Sequence, residues 1–181
     1  MGGGIQPVYE SFFGTTPAAT NHVPGGAFRI RTSFFATVAG RVIAARFYRD
    51  RSDLGNHMGF LVRRGPPGGR ELLGAVAFGR QTSVGSSSGW QTKFFHPMIP
   101  VAANAWHDLV VEFTGGSYYA NDGALSAADI VVGHLTAPKD TTVDPFGTAV
   151  NNSAIATTLN FNPTGSLAGQ QAGIDLYFLP D

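Results

Sequence analysis

An all-β fold, two antiparallel sheets packed as a jelly-roll-like sandwich, is what this sequence predicts. Three observations predict it. Between Arg41 and His96 four short apolar runs (RVIAARFYR, HMGFLV, ELLGAVAF, WQTKFF) alternate with Gly-, Pro-, Ser- and Asn-rich punctuation. That rhythm belongs to short strands joined by turns. Later runs alternate strictly, with Leu109, Val111 and Phe113 against Asp108, Val110 and Glu112. Lastly, no segment keeps a helical period over three turns.

The elements follow in order. Residues 1–10 read as a Gly-rich arm whose apolar residues Ile5, Val8 and Tyr9 pack on a neighbour or on the sandwich edge. Residues 11–181 read as one β-sandwich domain. Ser11–Gly26 is turn-rich. Phe28–Phe35 alternates Phe28, Ile30, Thr32 and Phe34 against Arg29, Arg31 and Ser33, so one basic face is expected in water. Arg41–Arg49 puts Ile43, Ala45 and Phe47 on one face, with Arg46 and Tyr48 on the other. His57–Val62 and Glu71–Phe78 are strands joined by the loop RRGPPGGR. Gly85–Gly89 is a turn, and Trp90–Phe95 is a strand with Trp90 expected in the core. Trp106–Thr114 is a central strand, and Asp108 and Glu112 are expected on a solvated face. Asn121–Ala128 is a helical turn or a loop. Ile130–Leu135 is a weak strand, and Pro138–Asn152 is a long loop. Thr157–Phe161 and Ile174–Leu179 close the domain. In the last strand Ile174, Leu176 and Phe178 point inward, while Asp175 and Tyr177 point outward. Phe47, Leu61, Val111, Phe113, Leu176 and Phe178 are expected to share one core.

Composition bounds the function. The 181 residues are long enough for a sizeable core. Only 13% are charged and 24 are Gly, giving a neutral, hydroxyl-rich surface suited to an extracellular or virion setting. Net charge is zero, which gives no global case for nucleic acid. The two halves differ, however. Residues 1–93 carry eleven cations against four acids, and residues 94–181 carry one cation against eight acids. Either interleaved strands mix these signs in space, or a basic face meets an acidic face of a second copy. The absence of cysteine excludes disulfides and thiol chemistry. No run of about 18–20 apolar residues is present, so no membrane span is expected. The N-terminus lacks the basic and apolar regions of a signal peptide.

Words in the sequence carry a resemblance. They are SFFGTTPA from Ser11, GAFRIRTSF from Gly26, and Ala39, Gly40, Val42, Arg46, Phe47 and Tyr48. Gly55, His57, Gly59 and Leu61 follow, then Ser88–Gln91, Met98–Ala103 and Leu109–Phe113. Gly133, Leu135, Ala137 and Pro138 precede the final Ile174, Asp175, Leu176 and Phe178. In this order, over residues 11–179, they resemble the bacterial family known as domain of unknown function 4082. The resemblance implies a two-sheet module of surface, secreted and phage tail proteins, with glycan binding or a spacer role. The chain departs from the family pattern at Val62, where members often have Trp. It departs again at Ala172–Gly173, where they often have an aromatic pair.

Candidate residues sort by chemistry. His57 between two glycines, with Asp53 nearby, reads either as a base or as a structural hydrogen bond to a loop carbonyl. The other histidines lack metal-ligand spacing. Asp108 and Glu112 stand about 13 Å apart on one strand face, too far for a glycosidase pair. Asn121, Asp122 and Gly123, with Asp129, make a turn or contribute oxygens to calcium. Tyr118 and Tyr119, with Trp106 exposed beside Asn104 and His107, are candidates to stack on sugar faces. Asn121 and Asp122 would then bond hydroxyls. Arg63, Arg64 and Arg70 read as a solvated loop, or as a contact for an acidic partner surface or an anionic cell-wall polymer, so that any glycan bound is expected to be neutral or anionic.

The expectation is a non-enzymatic virion structural protein of a bacteriophage: a tail, tail-tip or capsid-decoration subunit. It would self-associate through Ile5, Val8, Tyr9, Arg63, Arg64 and Arg70, join other virion proteins, and touch host cell-wall glycans. The alternative is a secreted or surface carbohydrate-binding module. No cofactor, catalytic residue or metal is expected.

Overall fold

The computed structural model describes residues 8–15, 20–24, 26–66, 69–80, 88–150, 152, 154–156 and 170–181. The strands are β1 (Thr20–His22), β2 (Phe28–Ala36), β3 (Gly40–Arg49), β4 (His57–Gly65), β5 (Gly69–Phe78), β6 (Gly89–Val101) and β7 (Trp106–Phe113). They continue as β8 (Tyr118–Asn121), β9 (Ile130–Val132), β10 (Leu135–Ala137), β11 (Ala154–Ala156), β12 (Gln171–Ala172) and β13 (Ile174–Pro180). Among the described residues there is no helix.

The strands make a β-sandwich. A large sheet runs β5-β4-β7-β2-β10-β9, with β11 also on β2. A small sheet runs β13-β3-β6, and a third, β1-β8-β12, was not anticipated. Every pairing is antiparallel.

The expected core forms. Phe47, Leu61, Val111, Phe113, Leu176 and Phe178 share one buried cluster, each no more than 1% exposed. Phe47 meets Phe78 and Phe113 edge-on at 4.9 and 5.4 Å. Burying one such side chain stabilises by roughly 1.5–3 kcal/mol. Close packing explains two glycines here. A Cβ on Gly40 would lie 2.5 Å from the Phe178 ring and the Leu179 carbonyl, and one on Gly59 would meet Phe78 at 3.0 Å.

The outer face of the large sheet is not solvated as expected. Arg29, Arg31 and Ser33 on β2 are buried, and so is Asp108 on β7. The register sets Ser33 and Val62 beside Asp108. The segment after β10 then folds over them. Asp108 accepts from Ser33 Oγ at 2.7 Å, from Arg64 Nε at 2.9 Å and from Arg70 Nη1. Arg64 Nη1 reaches Asp144 at 2.9 Å, and Arg31 Nη2 donates to the Val150 carbonyl at 2.6 Å. Asn152 bonds both the N–H and the C=O of Ser33. Burial alone would raise the Asp108 carboxyl. Arg31, Arg64 and Arg70, with the Ser33 hydroxyl, hold it below the usual carboxylate range. Glu112, at the rim, pairs with Arg29.

Smaller differences have local causes. Ile130–Leu135 is a hairpin rather than one strand, turning at Gly133 with φ of +56°. Asn121–Ala128 is a run of turns, with Ala124 N donating to the Asn121 carbonyl and Ser126 N to Gly123. The expected Gly85–Gly89 turn lies largely outside the described residues, as do the strand Thr157–Phe161 and Ile5.

Candidate functional site

The outer face of the small sheet gathers the most distinctive chemistry. β3 is its middle strand. Alternation sends Phe47 inward and leaves Arg46 and Tyr48 on the outer face. Register sets Asp175 and Thr92 beside Arg46, and Trp90 beside Tyr48. The Arg46 guanidinium lies between two rings, 4.2 Å from the Trp90 centroid and 4.7 Å from that of Tyr177. It donates to Asp175, to the Tyr177 hydroxyl at 3.2 Å, to Ser11 Oγ at 3.0 Å and to the Gly14 carbonyl at 2.6 Å. Asp175 also accepts the backbone N–H groups of Phe12 and Phe13, at 3.0 and 3.1 Å.

Asp175 therefore points away from the core, as expected, yet it is 1% exposed. Residues 11–14 lie across it. A buried ion pair needs its remaining donors and acceptors satisfied, and this strap satisfies them. The strap is tied in further at Glu10. Its backbone pairs with Phe178 in both directions, and its carboxylate takes the N–H and ring nitrogen of His134. The described part of the arm thus packs on the sandwich edge. Val8 is 80% exposed, and Tyr9 stacks on Tyr177 at 5.8 Å.

Around Arg46 runs a ribbon of half-exposed rings. Tyr48 meets Trp90 at 5.5 Å and Tyr119 at 5.0 Å, both edge-on. Tyr48, Trp90, Tyr119 and Tyr177 are all half-buried. Trp90 is thus at the margin of the core rather than inside it. Phe13 packs on it at 5.3 Å. The Tyr119 hydroxyl donates to Asp50 Oδ2 at 2.7 Å, and Ser52 N donates to Asp50 Oδ1 at 2.8 Å. The Ser52 hydrogen bonds, above all, hold the Asp50 carboxyl below its ordinary range, while the bond to Asp50 pushes the Tyr119 phenol up. Ser88, just before β6, accepts from Arg51 N at 3.1 Å.

The other expected contact residues are distributed differently. Trp106 is 9% exposed, packed on Phe35 at 5.1 Å on the outer face of the large sheet. It is not the exposed ring expected, because its strand is central and that face is covered. β8 alternation sends Tyr118 and Tyr119 to opposite faces. Tyr118 is 5% exposed, stacked on His22 at 5.0 Å and edge-on to Phe28. Burial pushes its phenol to about 12. Asn121 is half-buried against Gln171. Asp122 is exposed and bonds His22 and Gln170, at 3.0 and 2.7 Å. Among the described residues no three His, Cys, Asp or Glu side chains group to hold a metal ion.

The basic loop is also redistributed. Arg64 and Arg70 turn inward to Asp108, and Arg64 is 4% exposed. Arg63 stays exposed and pairs with Glu71 across the hairpin. A shallow cavity of about 210 Å³ lies between these side chains. The cations of the first half thus meet acids of the second half within one chain, as Arg46–Asp175, Arg64–Asp144 and Arg29–Glu112 show. His57 bonds Asp53 Oδ2 at 2.8 Å and is 1% exposed. That bond goes to a carboxylate rather than to a loop carbonyl. A second cavity, about 190 Å³, opens between β5 and β6, lined by Leu73, Phe95, Met98 and Ile99 among others.

Four separated words meet on the ribbon face: Ser11 of the first, Arg46 and Tyr48 of another, Ser88 and Trp90 of a third, and Asp175 of the last. The family model described as Domain of unknown function (DUF4082) matches residues 14–167. The chain belongs to this family. The match covers Arg46, Tyr48, Ser88 and Trp90, while Ser11 and Asp175 lie just outside it. In this DUF4082 domain they build a strapped, ring-lined sheet face. No curated protein matches the chain.

Proposed function

We propose that this domain is a non-catalytic recognition and structural module that contacts polysaccharide through the ribbon Tyr48, Trp90 and Tyr119. The observation that carries this reading is a set of half-exposed aromatic rings, packed edge against face on one sheet surface, with Asp50 beside them. Sugar CH faces stack on such rings, and hydroxyls bond their polar rim. Rings fixed by packing lose little side-chain entropy on binding. The reading is non-catalytic because the His57–Asp53 pair is sealed in the core, out of reach of a polymer.

A phage virion or a bacterial surface would use the same ribbon. In either setting, copies assembled into a homo-oligomer would add avidity, of order 10²–10⁴-fold. The test is a pull-down of Tyr48→Ala/Tyr119→Ala with host cell walls and with insoluble polysaccharides. The double variant should lose at least about tenfold in affinity, roughly 1.4 kcal/mol. Retained binding would remove the ribbon from the reading. Absence of wild-type binding would leave a purely structural role.

A further inference from the structure

We infer that the ribbon selects an uncharged, hydroxyl-rich polysaccharide over an acidic one, and that Asp50 sets this preference. The inference rests on the glycan reading above and concerns the chemistry of the same surface.

The buried cations near the rings are already committed. Arg46 touches two rings but is 2% exposed and is committed to Asp175, Ser11, Gly14 and Tyr177. Arg49, at the end of β3, lies on the inward face over the Phe47 ring, is 3% exposed and donates to the carbonyls of Gly79 and Gly55. Neither can turn to a ligand without breaking a buried contact. Arg51 is exposed and stands beside Asp50 in sequence, so an incoming anion would meet the two together.

The hydrogen-bonding polarity points the same way. A carboxylate accepts and cannot donate. Asp50 is 9% exposed and its oxygens are held by Ser52 and by the Tyr119 hydroxyl, so it acts on a ligand through its charge and through the ribbon hydroxyl it orients. Tyr119 spends its proton on Asp50, so its remaining lone pairs accept. Trp90 carries an N–H, but that atom is buried. The surface near Tyr119 is therefore rich in acceptors. Sugar hydroxyls bring donors, and bonds to a charged acceptor are the strong ones. Uronate, sulfate and phosphate groups bring acceptors and a like charge.

The experiment is affinity electrophoresis of the full chain in gels holding dextran, mannan, alginate or polygalacturonate. Wild type should be retarded more by a neutral polymer than by an acidic one. Asp50→Asn should narrow that ratio by roughly fivefold, the size of one surface charge interaction. Tyr119→Phe keeps the ring and frees Asp50, and serves if Asp50→Asn fails to fold. A salt series gives the sign independently. Repulsion by Asp50 predicts that alginate retardation grows as salt screens it, whereas attraction would fade. Preference for alginate, or an unchanged ratio in both variants, would overturn the inference and leave the ribbon standing. No retardation by any polymer would overturn the glycan reading and the inference together.

Discussion

Replacing Asp108 by Asn should cost this protein a large part of its stability. Asp108 is 0% exposed and faces Arg31, Arg64 and Arg70. Asn keeps the shape and one acceptor, but removes the charge that holds three guanidinium groups. It also sets an amide NH₂ against donors. Breaking a buried ion pair by removing one partner costs about 3–5 kcal/mol. The whole domain is worth about 5–15 kcal/mol. In guanidinium chloride, with a slope of ~2–6 kcal/mol/M, the midpoint should fall by ~1 M. A second arm tests the mechanism. Asp108→Asn combined with Arg70→Met should cost less than the two single losses added, because the partners couple. The acid limb adds a signature. A carboxyl held below its unfolded value contributes stability above that value and loses it as pH falls through the folded one. Asp108→Asn should therefore flatten the loss of stability below about pH 4. A midpoint shift under ~0.3 M with unchanged slope, or strict additivity, would refute the reasoning.

Three further outcomes are expected. His107 is 1% exposed, and burial pushes it from 6.5 to about 4. The unfolded chain then takes the proton first, so stability is full above pH 6.5 and falls by ~3 kcal/mol towards pH 4; urea midpoints at pH 7, 5.5 and 4 should show that slope, and His107→Phe should abolish it. Gly133→Ala places a Cβ 2.5 Å from the Glu10 carboxylate at a φ of +56°; it should cost ~1 kcal/mol or more and hasten proteolysis near residues 8–14. Asp175→Asn should free the strap at Phe12 and Phe13, read as faster hydrogen exchange at those two amides with the Ile30 amide unchanged.

Much of the fold was legible because period-2 alternation reports which residues share a face. It identified the six core residues and the inward triad Ile174, Leu176 and Phe178. Alternation cannot report what covers the other face. Arg29, Arg31, Ser33 and Asp108 have the pattern of a solvated face, yet the loop carrying Asp144, Val150 and Asn152 closes over them. Sequence distance hid this, since Ser33 and Asn152 are 119 residues apart. The same limit explains Trp106. Its polar neighbours suggest exposure, while its strand lies between β4 and β2 in the large sheet. Charge asymmetry was visible along the chain, but interleaved strands place most of those opposite charges against each other within one copy.

The candidate surface was half legible for a different reason. Tyr119 stood out because two adjacent tyrosines in extended backbone must face opposite ways. Tyr48 and Trp90 were visible only as letters of family words, RFY and SGWQ, which have no spacing that spells a site. Topology supplies the missing relation. β3 is central in the small sheet, with β13 antiparallel on one side and β6 on the other. That arrangement brings residues 175, 46 and 92 into one row and sets Trp90 beside Tyr48 in the next row on that face. The strap then lays Ser11 and Gly14 on the Arg46 donors that remain. A substitution at Arg46 would consequently act on three elements at once: the ring order, the strap and the β13 edge. Ser11, Trp90 and Asp175, from three separate words, each supply one partner of that single buried cation. On the proposed reading, specificity would be set in the rim that this cation supports, Tyr48, Tyr119 and Asp50.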